Sequence, residues 1–236
     1  MRTCVILCGG YGTRAKKINS LLPKILINVH GKPYLFWILK NLEKKKIQEI
    51  ILCAGYKSEN IYSYLKKNKN NFKLKIKVVS EKSGKLLGTG GAVKNSLKFF
   101  KSNDFLVMYG DTFLFFDVNR LFKSYKINNK PILMTVYKNN SKHYKNNIKI
   151  DKYLTYDKSN KKNDYKYIDY GVLVINKKVF KNQPKVFDLS KLLKKYSMDK
   201  KISHLKIKKK FLEIGNIESY KNTLRNFKKI KNEIYK

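Results

Sequence analysis

The stretch Thr3-Cys4-Val5-Ile6-Leu7-Cys8-Gly9-Gly10-Tyr11-Gly12-Thr13-Arg14 decides the reading of this chain. Residues 3–8 form an apolar run of strand length, and a glycine loop ending in a fixed cation follows directly. Glycines let a backbone approach a phosphate with no Cβ in the way. Their N–H groups can then point at phosphate oxygens. Arg14, and Lys24 after Pro23, place positive charge where anionic charge would gather. The loop is neither a P-loop, since no Gly-Lys-Ser/Thr closes it, nor a dinucleotide fingerprint, whose spacing differs.

Outward from that loop, residues 33–46 read as a helix with Pro33 in its first turn. Residues 49–54 read as a second apolar strand, and 58–67 as a helix with Ser58 as its N-cap. An alternating strand at 74–79, a helix at 89–101 and a strand at 104–109 ending at Gly110-Asp111 complete the first half. This order predicts an α/β chain built on a doubly wound, mostly parallel sheet. Ligands of such sheets bind beyond the carboxyl ends of the strands. The 9–14 loop and Asp111 both fall there and can face one crevice. Farther on, 132–137 and 171–176 read as strands and 188–197 and 216–234 as helices, with loops and short strands over 138–166. No internal repeat or linker divides the chain, so a single domain over 1–236 is expected.

The formal net charge is +38, which poses two readings. One is a polyanionic partner; the other is a composition biased toward Lys, Asn, Ile and Tyr. The lysines are spread along the chain with no basic arm and no nucleic-acid motif among them, so nucleic acid is not the expected partner. No apolar run approaches the roughly 20 residues of a membrane span, and no secretory signal is visible. A cytoplasmic protein is the expectation. Cys4, Cys8 and Cys53 sit in apolar strands and read as buried thiols rather than as a disulfide framework or zinc site. His30, His143 and His204 show no metal spacing and read as structural or surface residues.

The segment Gly9–Arg14, then Pro23-Lys24, then Gly31-Lys32-Pro33, resembles the signature of the sugar-1-phosphate nucleotidyltransferases. The resemblance runs on through Leu87-Gly88-Thr89-Gly90-Gly91-Ala92, Tyr109-Gly110-Asp111, Asp157-Lys158, Tyr170-Gly171 and Glu213-Ile214-Gly215, in the family's order. Short bacterial members without a C-terminal β-helix are the most similar, the heptose 1-phosphate guanylyltransferase-like branch among them. With little sequence after Glu213, no acyltransferase domain is expected.

The resemblance implies a Rossmann-like nucleotidyltransferase fold with a small sugar-side lobe. Residues 1–130 would be the nucleotide-binding half, and 131–236 the sugar-binding half with the C-terminal helix. It implies transfer of a nucleoside monophosphate from an NTP to a sugar 1-phosphate with release of pyrophosphate, for surface polysaccharide synthesis. Arg14, Lys24 and Asp111 would be catalytic. Leu7, Gly9, Gly10, Gly12, Thr13, Glu81, Gly88 and Thr89 would bind the nucleotide. Lys158, Tyr170 and Gly171 would bind the sugar phosphate. Mg2+ would be held by Asp111 and Glu213, the latter a departure from the family's commoner aspartate. Guanylyl transfer to a heptose is the first expectation. Uridylyl, cytidylyl and thymidylyl transfer remain open, because the spacing from Glu81 to Gly88 through Ser83-Gly84-Lys85 differs from that of relatives. A non-catalytic basic nucleotide- or RNA-binding protein is the alternative from another class. The oligomeric state stays open, with a homodimer among the options.

Overall fold

Apolar side chains at Leu35, Ile38, Leu39 and Leu42 recur every three to four residues, and this stripe becomes the buried face of the first long helix. The computed structural model describes residues 2–11, 18, 21–81, 86–140, 144–160 and 164–235, apart from the side chains of Lys229 and Tyr235. Gly12, Thr13, Arg14, Ser83, Gly84, Lys85 and His143 lie outside the described residues.

The elements run β1 (Thr3–Leu7), β2 (Asn28–Val29), β3 (Lys32–Pro33), α1 (Tyr34–Lys44), β4 (Glu49–Ala54), α2 (Ser58–Lys67), β5 (Lys75–Ser80), α3 (Gly88–Ser96), β6 (Asp104–Tyr109) and β7 (Thr112–Phe113). They continue as α4 (Val118–Asn128), β8 (Ile132–Lys138), β9 (Ile148–Ile150), β10 (Leu154–Tyr156), β11 (Tyr167–Asn176), α5 (Leu189–Met198), β12 (Ile202–Ile207), β13 (Leu212–Glu213) and α6 (Ile217–Tyr235). Two units interleave along the chain. The first is Met1–Leu86, Tyr109–Phe113 and Phe211–Lys236; the second is Leu87–Met108 and Leu114–Lys210.

In the first unit β1, β4 and β5 form a parallel three-stranded sheet, with Val5 opposite Ile51 and Ile51 opposite Lys77. Central β4 is buried along its whole length and accordingly reads as a continuous apolar run. Its one charged residue, Glu49, is compensated: Thr3 Oγ1 donates to Glu49 Oε2 at 2.9 Å and Lys75 Nζ lies 3.5 Å from Oε1. Helix α6 packs on α1 through Phe227, which is fully buried. Its ring meets Trp37 at 5.3 Å and Phe113 at 5.2 Å. Burying such a ring contributes about 1.5–3 kcal/mol. Trp37 Nε1 donates to Val29 O at 2.7 Å, so the indole's polar atom is also satisfied. Strand β13 pairs antiparallel with β7, placing Glu213 opposite Thr112.

In the second unit the ten-residue β11 lies antiparallel to both β6 and β8, and β12 runs parallel to β8. β9 and β10 form a short antiparallel pair. Helix α4 is capped by Asp117, whose side chain accepts from Arg120 N at 3.0 Å.

The expected α/β class is borne out. The three-stranded sheet of the first unit is parallel, whereas that of the second is mixed because β11 reverses the strand direction. Ser58 is not the N-cap of α2. Lys57 holds that place in a left-handed conformation (φ 54°), and Ser58 is already helical. The helix predicted over 89–101 is shorter, ending at Ser96 and continuing as a 3-10 turn over Leu97–Phe99. Among the described residues no helix is long and apolar enough to cross a membrane, and no cysteine forms a disulfide.

Candidate active site

Strand β1 delivers Leu7 and the glycines after it to the end of the parallel sheet. Gly9 is tightly packed: a Cβ there would lie 2.9 Å from Gly55 N. Gly9 O accepts from Tyr56 N at 3.1 Å, which ties the loop to the end of β4. Among the described residues a Cβ on Gly10 would meet nothing within 4 Å. Gly110 N donates to Leu7 O at 2.9 Å, and this bond sets the turn carrying Asp111 beside the loop.

Pro23 and the 3-10 turn Lys24–Leu26 bury Ile25 and Leu26 and leave Lys24 facing Asp111. Lys24 Nζ lies 2.6 Å from Asp111 Oδ2, the lysine side chain 16% exposed and the aspartate 37%. Thr112 Oγ1 donates to Asp111 Oδ1 at 3.0 Å, so both carboxylate oxygens have a donor. Such a charge-assisted contact holds a lysine ammonium and a carboxylate in a fixed relation.

Glu213 reaches the same place from the far end of the chain. β13 is anchored at three points: Ile214 N donates to Asp111 O at 3.0 Å, Tyr34 Oη donates to Leu212 O at 2.9 Å, and Thr223 Oγ1 donates to Glu213 O at 2.6 Å. The Glu213 carboxylate lies over Gly215, where a Cβ would be 3.2 Å from its Oε1. The glycine thus leaves room for the longer acidic side chain at this position. Tyr34 is fully buried. Burial first, and then the charges of Asp111 and Glu213, push its hydroxyl well above the usual phenol range. Glu81 follows β5, its N–H donating to Ala54 O at 3.0 Å. The first unit therefore brings together Leu7, Gly9, Gly10, Lys24, Asp111 and Glu213. Gly12, Thr13 and Arg14 lie outside the described residues.

The second unit holds the remaining predicted site residues. Gly88 opens α3 with φ +73°, and a Cβ there would lie 2.6 Å from Phe187 O. Gly90 N and Gly91 N both donate to that same carbonyl, at 2.9 and 3.1 Å. Thr89 Oγ1 accepts from Leu189 N at 2.8 Å, so its hydroxyl ties two helix starts together. Tyr170 is buried as a whole residue, and its hydroxyl accepts from Phe115 N at 3.0 Å. Gly171, with φ +101°, lies where the pairing of β11 with β8 shifts register. Asp169 Oδ1 accepts from Gly171 N at 2.9 Å and holds that bulge. Lys158 is exposed, next to Asp157. Asp157 is held down at about 2, chiefly by the Ser159 hydroxyl and then by Lys194, whose Nζ is 2.9 Å away.

Sequence reading missed Tyr34, Thr112 and Thr223: Tyr34 and Thr223 act by hydrogen bonds to residues distant in sequence, Thr112 supports its neighbour Asp111, and none belongs to a motif. The two described histidines are not at the site. His30 Nε2 is 2.6 Å from Leu224 O and the ring stacks on Phe227, while His204 is half-buried and pushed down by burial and by Lys206 and Lys130. Among the described residues no three His, Cys, Asp or Glu side chains cluster as a metal cage.

A family model described as Nucleotidyl transferase matches residues 3–229. The chain is 40% identical over 132 residues to the D-glycero-alpha-D-manno-heptose 1-phosphate guanylyltransferase of Campylobacter jejuni, which covers 56% of this chain and 56% of that protein. It is 32% identical over 119 residues to the protein of the same description from Aneurinibacillus thermoaerophilus, covering 50% of each. The chain thus spans about half the length of the curated relatives it matches. Among solved structures, HddC from Yersinia pseudotuberculosis complexed with GMP-PN is similar with a TM-score of 0.79 at 26% identity, over 97% of this chain and 100% of that one.

Proposed function

This chain belongs to the nucleotidyl transferase family, and on that premise we propose that it transfers a nucleoside monophosphate from an NTP to a sugar 1-phosphate. The observation that carries this reading is the Lys24–Asp111 contact at 2.6 Å beside the loop after β1, with the strand of Glu213 paired to that of Thr112. The two similar guanylyltransferases and the GMP-PN complex favour GTP as the nucleotide and a heptose 1-phosphate as the acceptor. A cytoplasmic place follows from these substrates, and the NDP-sugar formed would serve surface polysaccharide synthesis.

In the proposed reaction an oxygen of the sugar phosphate forms a bond to the α-phosphorus. The bond from that phosphorus to the bridging oxygen breaks, and pyrophosphate leaves with the electron pair. Such transfers depend on positioning and charge neutralisation rather than on a covalent nucleophile. Lys24 offers three N–H donors. One goes to Asp111, which orients the ammonium, and the others would meet phosphate oxygens. Gly9, Gly10, Gly12 and Thr13 would receive the triphosphate on their backbone, with Arg14 adding charge and Leu7 and Glu81 at the nucleoside side. Gly88 and Thr89 would shape the base and ribose contact. Lys158 would hold the sugar phosphate, with the buried Tyr170 and Gly171 fixing the course of β11 on the sugar side.

Asp111 and Glu213 suit Mg2+. They are two hard oxygen donors on hydrogen-bonded segments, and Mg2+ is commonly held by one or two carboxylates plus phosphate oxygens and water. Bound there, the ion would neutralise charge on the phosphate oxygens.

The test is a matrix assay: pyrophosphate release for GTP, UTP, CTP, dTTP and ATP, each against a panel of sugar 1-phosphates. GTP with D-glycero-α-D-manno-heptose 1-phosphate is expected to give the highest kcat/KM. Clean NTP binding with no release for any pair would overturn the enzymatic reading.

A further inference from the structure

The sequence motif Gly31-Lys32-Pro33 has no part in the reaction proposed above, yet it leads directly into the residue with the deepest contact to the carboxylate strand. Pro33 precedes α1 with φ −56°, and Tyr34 N donates to Ile27 O at 2.9 Å. The Tyr34 ring is fully buried, 6.3 Å from the ring of Phe227. Its hydroxyl donates to Leu212 O, the carbonyl immediately before Glu213. One residue on, the carbonyl of Glu213 itself accepts from Thr223 Oγ1 of α6. Glu213 is thus gripped on both peptide units of a two-residue strand, from α1 on one side and α6 on the other.

A two-residue strand has little cohesion of its own. Its pairing with β7 is confined to Leu212 with Phe113 and Glu213 with Thr112. Each of the two side-chain hydrogen bonds is buried or part-buried, so losing either leaves a carbonyl without its partner away from water. With the bond from Ile214 N to Asp111 O, they fix the Glu213 backbone beside Asp111.

We propose that Tyr34 and Thr223 are positioning residues that hold the Glu213 carboxylate in metal-binding register with Asp111. This rests on the reading of Asp111 and Glu213 as the metal-binding pair. Neither residue touches substrate; each acts through the Glu213 backbone.

The experiment measures Mn2+ binding to the whole protein by water-proton relaxation, with a non-hydrolysable GTP analogue present. It compares Tyr34→Phe, Thr223→Val and Glu213→Gln with Tyr125→Phe. Tyr125 is a control: its hydroxyl donates to Asp104 at 2.8 Å in a part-buried bond of the second unit, so its loss costs a comparable hydrogen bond. Tyr34→Phe and Thr223→Val are each expected to weaken Mn2+ binding about tenfold, the scale seen when a group orienting a metal ligand is removed. Tyr125→Phe is expected to lower Tm similarly and leave Mn2+ affinity unchanged. Two variants guard against one failing to fold. If both lose stability but keep wild-type Mn2+ affinity while Glu213→Gln loses it, the positioning role is wrong and the ligand role stands. If Glu213→Gln also keeps wild-type affinity, the ligand assignment fails and the positioning role falls with it.

Discussion

The two units hold their candidate site residues by different means. In the first, the groups of interest are charged side chains, and each is fixed by a partner: Lys24 by Asp111, Asp111 by Thr112 as well, and Glu213 through its own backbone by Tyr34 and Thr223. In the second, backbone shape dominates. Gly88 adopts φ +73° against the Phe187 carbonyl, Gly171 lies in a bulge pinned by Asp169, and the Tyr170 hydroxyl faces inward to Phe115. Among its described candidate residues, only Lys158 carries an exposed charge. The difference suits a division of labour. Charge neutralisation at phosphorus needs rigid ions, whereas recognition of a sugar can rest on a contour of N–H and C=O groups.

Substitutions can break this comparison, the largest effect first. Lys24→Gln removes the ammonium and is expected to lower kcat/KM about 10²–10³-fold, the cost of losing one charge-stabilising donor. Steady-state pyrophosphate release reads it, and a loss under threefold would deny Lys24 its role. In the second unit the sensitive target is backbone shape. Gly88→Ala forces a Cβ against Phe187 O in a positive-φ conformation and is expected to cost about 1–3 kcal/mol of stability. Thermal unfolding should show Tm falling by several degrees; an unchanged Tm would mean the α3 start relaxes freely.

Lys158→Gln sharpens the contrast further. One charge-assisted hydrogen bond is worth about 1.5–3 kcal/mol, so KM for the sugar phosphate should rise about tenfold or more while KM for the NTP holds. Equal changes in both constants would argue against a sugar-side place for Lys158.

The smallest effect lies beside it. Asp157 titrates at about 2 in the folded chain, held down first by Ser159 and then by Lys194, against about 3.9 for an unfolded aspartate. A depressed carboxylate contributes stability above the unfolded value and loses it as pH falls through the folded one. The stability gap between wild type and Lys194→Met should therefore be full at pH 6 and shrink from about pH 4 toward pH 2. Chemical denaturation at a series of pH values reads it, and a gap that stays constant would leave Lys194 a packing role only.

Much of this division was visible in the sequence, and the reasons differ by residue. Strand β4 and helix α2 match their predicted bounds because an unbroken apolar run and a helical stripe are local signals. Lys24 and Asp111 were legible as candidate site residues because Pro23-Lys24 follows the glycine loop and Gly110-Asp111 ends an apolar strand. Their ion pair was not, since it joins positions far apart in sequence. Helix α4 passed unread although Val118, Leu121 and Tyr125 form its buried stripe, because lysines and asparagines dilute the periodicity. Strand β12 was hidden similarly: Ser203, His204 and Lys206 interrupt its apolar positions. The return of Phe211–Lys236 to the first unit could not be read at all. It depends on Phe227 packing against Trp37 and Phe113, and nothing in the local pattern of α6 names those partners.

The most direct measurement is the initial rate of pyrophosphate release from GTP and D-glycero-α-D-manno-heptose 1-phosphate with Mg2+, for wild type and Asp111→Asn. The substitution keeps the size of the side chain and removes its charge. Release by wild type that needs both substrates and falls at least about 10²-fold in Asp111→Asn, with the circular dichroism spectrum unchanged, is the expected result. Release at the wild-type rate by a folded Asp111→Asn would contradict the assignment of this site.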